Sequence, residues 1–254
     1  MTLPSGKLLL AAALLLSTAL AQTAPPAPDR PSAQSAPAVR PAAHVPFTVH
    51  LGKRGKSTTR DRPADTKPVP WDLSTHGAKA LYLTFDDGPH PIYTPKVLSI
   101  LAKHHAKATF FVLGREVAAH PELLDVERAA GHHIGNHTWD HPMLTHLTDA
   151  RIRQEISTGV KSRCFRPPYR DTNKKVEAIA ASYHFQQILW DVDTNDWKKP
   201  GEAAIERAIL RGAHPGAIIL MHDGGGNRSE TIAALDRALT KLAAQGYSFR
   251  SLPC

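Results

Sequence analysis

Two hydrophobic periods take turns along this chain. Leu81-Tyr82-Leu83-Thr84-Phe85 is an apolar run that stops abruptly at Asp86-Asp87-Gly88-Pro89, the pattern of a buried strand closing in a turn. Thr94-Pro95 then reads as an N-cap followed by proline at the first helical position. Val97, Leu98 and Leu101 supply one apolar helix face. The alternation continues with a strand over 108–113, a helix from His120-Pro121 to a stop at Gly131, and a short strand over 133–137. A helix follows Thr148-Asp149, then a strand and turn over 165–169, a helix over 173–183 and a strand over 185–192. The last elements are a helix over 202–210, a strand over 217–223, a helix over 229–244 and a strand over 247–252. About seven rounds of strand and helix predict parallel βαβ units, and so an α/β fold that is either a barrel or a doubly wound sheet.

Five of these strands end in polar or ionisable clusters: Asp86-Asp87, 137–141, 166–169, 191–196 and His222-Asp223. In an α/β barrel the C-terminal strand ends share one face, where active sites lie. Chemistry recurring at five strand ends favours the barrel.

The sequence before the first strand is of another kind. Lys7, the apolar run Leu8–Leu16 and Ala19-Leu20-Ala21 have the layout of a secretory signal over residues 1–21; the run is short for a membrane span, and an uncleaved N-terminal anchor is the alternative reading. Residues 22–72 are rich in Pro, Ala and basic groups and predict a linker without a fold of its own. The folded domain is expected over 73–254, in a protein that is secreted or resident in the cell envelope, with no membrane span after signal cleavage. The net charge of +8 includes a cluster at Lys53, Arg54, Lys56, Arg60 and Arg62. No basic block alternates with aromatics, so nucleic acid is not an expected partner. Cys164 and Cys254 can make at most one bridge, and sequence leaves open whether they do. Nothing in the chain implies an oligomer.

The chemistry sits in the polar clusters. Asp86 and Asp87 should point in different directions, because side chains alternate along extended backbone. Such a pair can divide metal binding from proton transfer. His137 and His141, four apart, can grip one cation from a helical turn, and with Asp87 they form a His₂Asp set with open positions. That set suits catalytic zinc, and it also suits non-haem iron. The prolines of Arg166-Pro167-Pro168-Tyr169 make a rigid turn. There Arg166 can neutralise Asp86, and the Tyr169 amide can face a developing oxyanion. Asp196 beside Trp197, and His222 at the end of an apolar strand, supply an acid and an imidazole for a second proton transfer.

Thr84-Phe85-Asp86-Asp87-Gly88-Pro89, His137-Thr138-x-x-His141, Arg166-Pro167-Pro168-Tyr169, Asp193-x-x-Asp196-Trp197 and Leu220-Met221-His222 together resemble the five ordered motifs of the polysaccharide deacetylases. Those proteins carry the NodB-homology domain of carbohydrate esterase family 4. The resemblance covers about residues 79–252. It implies a deformed (β/α) barrel of about seven parallel strands and a metal-dependent hydrolase that removes N-acetyl groups from an acetylated polysaccharide. The substrate would be peptidoglycan or a chitin-like glycan. An O-acetyl xylan esterase and an inactive glycan-binding module are the alternatives within the same fold. The resemblance implies Asp86 as catalytic base and His222 as general acid, with Asp196 tuning it. Arg166 would orient Asp86, and Tyr169 would contribute to the oxyanion hole. Asp87, His137 and His141 would hold Zn²⁺, or another divalent metal such as Co²⁺, and Trp197, Leu220 and Pro168 would bind substrate. Two positions depart from the family's usual pattern: Arg170 stands where glycine is usual, and His133 where many members have an acid.

Overall fold

The computed structural model describes residues 79–254. The expected signal, the linker and the start of the folded domain near residue 73 lie outside the described residues. Among the described residues, no helix is long and apolar enough to cross a membrane.

The chain runs β1 (Ala80–Asp86), α1 (Tyr93–Lys103), β2 (Thr109–Val112), α2 (Gly114–Ala119), α3 (Pro121–Ala129), β3 (His133–Asn136), α4 (Asp149–Thr158) and β4 (Cys164–Phe165). It continues through α5 (Lys174–Ser182), β5 (Gln186–Gln187), β6 (Val192–Asp193), α6 (Glu202–Gly212), β7 (Ile218–His222), α7 (Ser229–Ala244) and β8 (Ser248–Arg250). All strand pairs are parallel, in the order β5-β4-β3-β2-β1-β7-β6, with β8 added beside β1. The two edge strands, β5 and β6, are separated by only four residues, 188–191. Five extended residue steps reach at most about 18 Å, so the sheet must curl until its edges face each other. This is the barrel that the strand ends favoured, of the deformed (β/α) kind that the resemblance implied.

Residue parity sets what faces in and out. Leu81, Leu83 and Phe85 of β1 pack outward against α1, α6 and α7, in one cluster with Val97, Leu101, Ile205, Ile209, Leu235 and Leu239. Tyr82 faces inward with Phe111, Cys164, Ile188 and Leu252. Side chains alternate along a strand, so Asp86 continues the inward set and is delivered to the mouth of the barrel. The same parity turns Phe165 outward and Arg166 inward. Gly135 lies on the inward row of β3, where a Cβ would come within 2.3 Å of the Phe111 ring. A larger residue there would have to displace the ring that fills the barrel.

Three expectations need correcting. Helix α1 starts at Tyr93, with Ile92 as its N-cap; the Thr94 hydroxyl instead accepts the His90 N–H at 2.7 Å and bonds the Asp223 carboxylate. Helix α2 was not foreseen, because its six residues bury only Gly114 and so carry no apolar stripe. The strand expected over 185–192 is two short pieces. Between them the carbonyls of Ile188 and Leu189 accept from the Arg166 guanidinium, at 3.4 and 3.3 Å, in place of a strand ladder.

The floor of the barrel is closed by the C-terminal segment. The Leu252 N–H donates to Thr109 Oγ1 at 2.8 Å, its carbonyl meets the His133 imidazole, and Cys254 is disulfide-bonded to Cys164 in the interior. The bridge closes a loop with a sequence separation of 90, and a native disulfide typically contributes about 2–4 kcal/mol. Cys254→Ser should lose a comparable amount in denaturant unfolding. Reductant should lower the wild-type midpoint towards that of the variant and leave the variant's own midpoint in place.

Candidate active site

The barrel mouth opens into a cavity of about 460 Å³ lined by Asp86, Asp87, His137, His141, Tyr169, Trp197, Leu220 and His222. Sequence reasoning had named all eight. Arg166 and Asp196 are buried just behind this surface, each holding one of its members. Pro168, expected to bind substrate, is buried under its turn and outside the lining, while Pro167 faces the cavity.

Asp87 follows the last strand residue with φ 72, which turns its carboxylate away from that of Asp86. Its Oδ1 lies 3.5 Å from His137 Nε2 and 3.3 Å from His141 Nε2. The ligand atoms of the three residues all fall within 4.8 Å of one another. Asp87 Oδ1 is buried without a hydrogen-bond partner, a costly state for a carboxylate oxygen, and one that a cation would relieve. The two histidines do not share a helical turn as expected. A loop with left-handed residues at Thr138 (φ 72) and His141 (φ 64) brings them together, held by Thr138 N–H to Asn136 Oδ1 at 2.8 Å and His141 N–H to Thr138 Oγ1 at 3.0 Å. His137 Nδ1 lies 2.7 Å from the Arg166 carbonyl; donating there leaves Nε2 as a lone pair. Burial pulls the His137 pKa down to about 3 and lowers that of His141, outweighing the pull of Asp87 in the other direction. Both rings are therefore neutral donors, and with one carboxylate they fit a divalent metal. His133 bonds the Leu252 carbonyl at the opposite end of β3, away from this set.

Two acid–base pairs flank the metal ligands. Arg166 Nη1 donates to Asp86 Oδ1 at 2.7 Å and to Thr84 Oγ1 at 2.9 Å, and its guanidinium carbon sits 4.0 Å from the centre of the Phe111 ring. Burial pushes Asp86 above the ordinary carboxylate range, with Arg166 and His222 pulling against it. Asp86 Oδ2 is left facing the metal ligands, 3.6 Å from His137 Nε2. Across the cavity, His222 Nδ1 donates to Asp196 Oδ1 at 2.7 Å, and Asp196 Oδ2 accepts from the His222 N–H and the Thr231 hydroxyl. Burial alone would lower the His222 pKa. The Asp196 hydrogen bond and the charges of Asp196, Asp86 and Asp87 outweigh it and push the value up to about 9.

Tyr169 has φ 58 and a ring 61% exposed that meets His141 edge-on at 4.4 Å. Its main-chain N–H makes no hydrogen bond among the described residues.

Several groups of this region were assigned no role from the sequence. Trp190 lies in an apolar run, yet it lines the cavity. Arg228 is buried on the cavity wall, donating Nε to the Gly224 carbonyl at 2.6 Å and Nη2 to that of Gly225 at 3.0 Å. Asp223, visible as the polar end of its strand, turns back under the Asp87 turn, where a Cβ on Gly88 would touch its Oδ2 at 2.4 Å. Glu127 is fully buried on α3, with neither carboxylate oxygen partnered. Burial, and then the charge of Asp223, push its pKa to about 9. The folded protein thus keeps the Glu127 proton between about pH 4.5 and 9, where the unfolded chain releases it, and stability must fall as pH rises through that window. Glu127→Gln removes the titration. The melting temperature of the variant relative to wild type should climb from pH 5 to pH 9; parallel curves would show that Glu127 carries no such burden.

Comparison with known proteins agrees with this geometry. The family model described as polysaccharide deacetylase matches residues 74–188. A peptidoglycan-N-acetylglucosamine deacetylase of Bacillus cereus is 38% identical over 191 residues, 71% of this chain and 89% of that protein. The chain therefore belongs to the polysaccharide deacetylase family, with its NodB-type barrel. The peptidoglycan-N-acetylglucosamine deacetylase PgdA of Listeria monocytogenes is 43% identical over 180 residues, 67% of this chain; the match spans only 37% of that longer protein. Among solved structures, a carbohydrate esterase family 4 pseudoenzyme from Bacillus anthracis superposes with a TM-score of 0.64 at 35% identity, covering 68% of this chain and 64% of that one. Kinship with a pseudoenzyme means that activity has to be argued from the site residues.

Proposed function

We propose that the chain is a metal-dependent deacetylase that hydrolyses the acetamide of N-acetyl sugars in a cell-wall or extracellular polysaccharide, releasing acetate and a free amino sugar. One observation carries this reading. The orphaned Asp87 Oδ1 sits between two neutral imidazoles, with the Asp86–Arg166 and His222–Asp196 pairs bordering the same cavity. Asp87, His137 and His141 would hold the metal. A set of two nitrogens and one carboxylate with open positions suits Zn²⁺, with Co²⁺ as an alternative. Such a cation polarises a carbonyl and makes water acidic.

The residues then have separate tasks. Asp86 takes the proton of the attacking water through Oδ2, since Oδ1 is held by Arg166. Its raised pKa brings it nearer to operating pH, where a base is most effective. The free Tyr169 N–H donates to the oxyanion, a contact typically worth about 3–4 kcal/mol. His222, its Nδ1 proton fixed on Asp196, delivers a proton from Nε2 to the departing nitrogen. Leu220 and Trp197 offer an apolar wall for the acetyl methyl. Peptidoglycan is the favoured substrate, given the signal-like N-terminus and the identities of the relatives, and the envelope is the place of action.

The test is acetate release from N-acetylated glycans and O-acetylated xylan, with and without a chelator. Release from an N-acetylated glycan that a chelator abolishes and added Zn²⁺ restores is the expected result. Release from no substrate in metal-replete buffer would overturn the reading and leave a glycan-binding module.

A further inference from the structure

Two indoles line the cavity mouth, Trp190 and Trp197, and each carries a cation. The Arg170 guanidinium carbon lies 5.6 Å from the centre of the Trp190 ring, which also meets the buried Arg166 guanidinium at 5.5 Å, and Lys198 Nζ lies 4.8 Å from the centre of the Trp197 ring. We propose that Arg170 on Trp190, assisted by Lys198 on Trp197, binds a carboxylate borne by the glycan beside the reacting acetamide, so that the chain selects acidic over neutral glycan. The proposal rests on the deacetylase reading and names the substrate feature that this chain's cavity favours.

These cations differ from the others nearby in having no hydrogen-bond or ion-pair partner among the described residues. Arg115 on the cavity wall is held by Glu116 at 3.1 Å and Asp140 at 3.7 Å. Arg166 is committed to Asp86, and Arg228 donates to main-chain carbonyls. Among the described residues, neither Arg170 nor Lys198 has a side-chain hydrogen bond or an ion pair. The carboxylate next to Arg170 in sequence, that of Asp171, is turned away to the N–H and hydroxyl of Thr145, at 2.8 and 2.7 Å. Asp193, an exposed acid in the cavity lining, accepts the Asn195 N–H at 2.8 Å.

Backbone conformation strengthens the case. Arg170 has φ 59 and directly follows Tyr169 at φ 58. The left-handed region costs a residue with a Cβ on the order of 1 kcal/mol, and glycine enters it freely. Strain retained at the edge of a functional cavity points to a side chain with a use. A guanidinium laid on an indole is held in place while its edge donors stay free, and that edge matches a planar carboxylate in bidentate fashion. In a wall glycan the carboxylate has two sources: the lactyl ether on alternate sugars, or the peptide stems attached through it.

The test uses the full chain loaded with Zn²⁺ and three glycans of matched length. One is neutral chitotetraose, one a peptide-free wall glycan with free lactyl carboxylates, and one the same glycan with peptide stems. Arg170→Gln should lower the acidic-to-neutral ratio of kcat/KM by about tenfold, chiefly through KM. Arg170→Lys should recover part of it, and 0.5 M salt should erode the wild-type ratio more than that of Arg170→Gln. A fall confined to the peptide-free glycan assigns the lactyl carboxylate, and one confined to the stem-bearing glycan assigns the peptide. An unchanged ratio, or an equal loss on all three glycans, overturns the proposal while leaving the deacetylase reading intact. Failure of wild type to release acetate from any of the three glycans would count against the deacetylase reading instead. Calorimetric binding of the acidic and neutral glycans to wild type and Arg170→Gln then decides the carboxylate preference without turnover.

Discussion

Asp86→Asn should slow acetate release by a factor on the order of 10²–10⁴ while the protein still takes up its metal. The amide keeps the shape of the carboxylate and can still accept the Arg166 Nη1 donor, which lies 2.7 Å from Asp86 Oδ1. The three metal-ligating groups are untouched. What is lost is the basic Oδ2 facing those ligands. Burial holds Asp86 above the ordinary carboxylate range, so the wild-type kcat/KM should rise with pH through that raised value, and the variant should lack this rise. Metal content by elemental analysis and initial rates of acetate release settle the matter together. A variant that retains metal and wild-type turnover would show that Asp86 is not the base, even within a correctly identified family.

Asp87→Ala should lose metal and turnover together. Partners outside the ligand shell typically contribute about 10–100-fold to metal affinity, and removal of a ligand itself should exceed that. Asp87 is also the only anion of its set, so the alanine variant leaves two neutral imidazoles facing the cation. Competition with a chromogenic chelator gives the affinity directly, without reliance on activity. Affinity within tenfold of wild type would move the metal elsewhere. The two variants separate adjacent carboxylates by readout: one keeps the metal and stops the chemistry, the other loses both.

Much of this division was legible because strand parity is a strict rule. Leu81, Leu83 and Phe85 turn to the helices, so Asp86 has to point into the barrel, and the Gly-Pro turn lets Asp87 leave the row. Polar clusters at strand ends were equally readable, because a parallel barrel brings all such ends to one face. What escaped was set by tertiary partners. The carbonyls of Ile188 and Leu189 give up a strand ladder for Arg166, which no local pattern encodes. Trp190 looks like core in an apolar run and becomes cavity wall only because that run is interrupted. The His137–His141 pair had the spacing of a helical turn, but Asn136 and Thr138 side chains fold it as a loop with the same outcome for the metal. Glu127 is a helix residue like many others until the fold places it near Asp223.

The arginine beside Asp86 is also a fastener. Its nitrogens reach Asp86 and Thr84 on β1 and the carbonyls of Ile188 and Leu189, in the short stretch joining the two edges of the sheet. One side chain therefore both holds Asp86 in place and stitches the wall shut at its seam. Replacing this residue should therefore cost stability as well as turnover, because both sides of the seam lose a shared donor. A lineage of this fold that abandons catalysis should sooner alter the loop histidines or Tyr169, whose loss leaves the masonry standing.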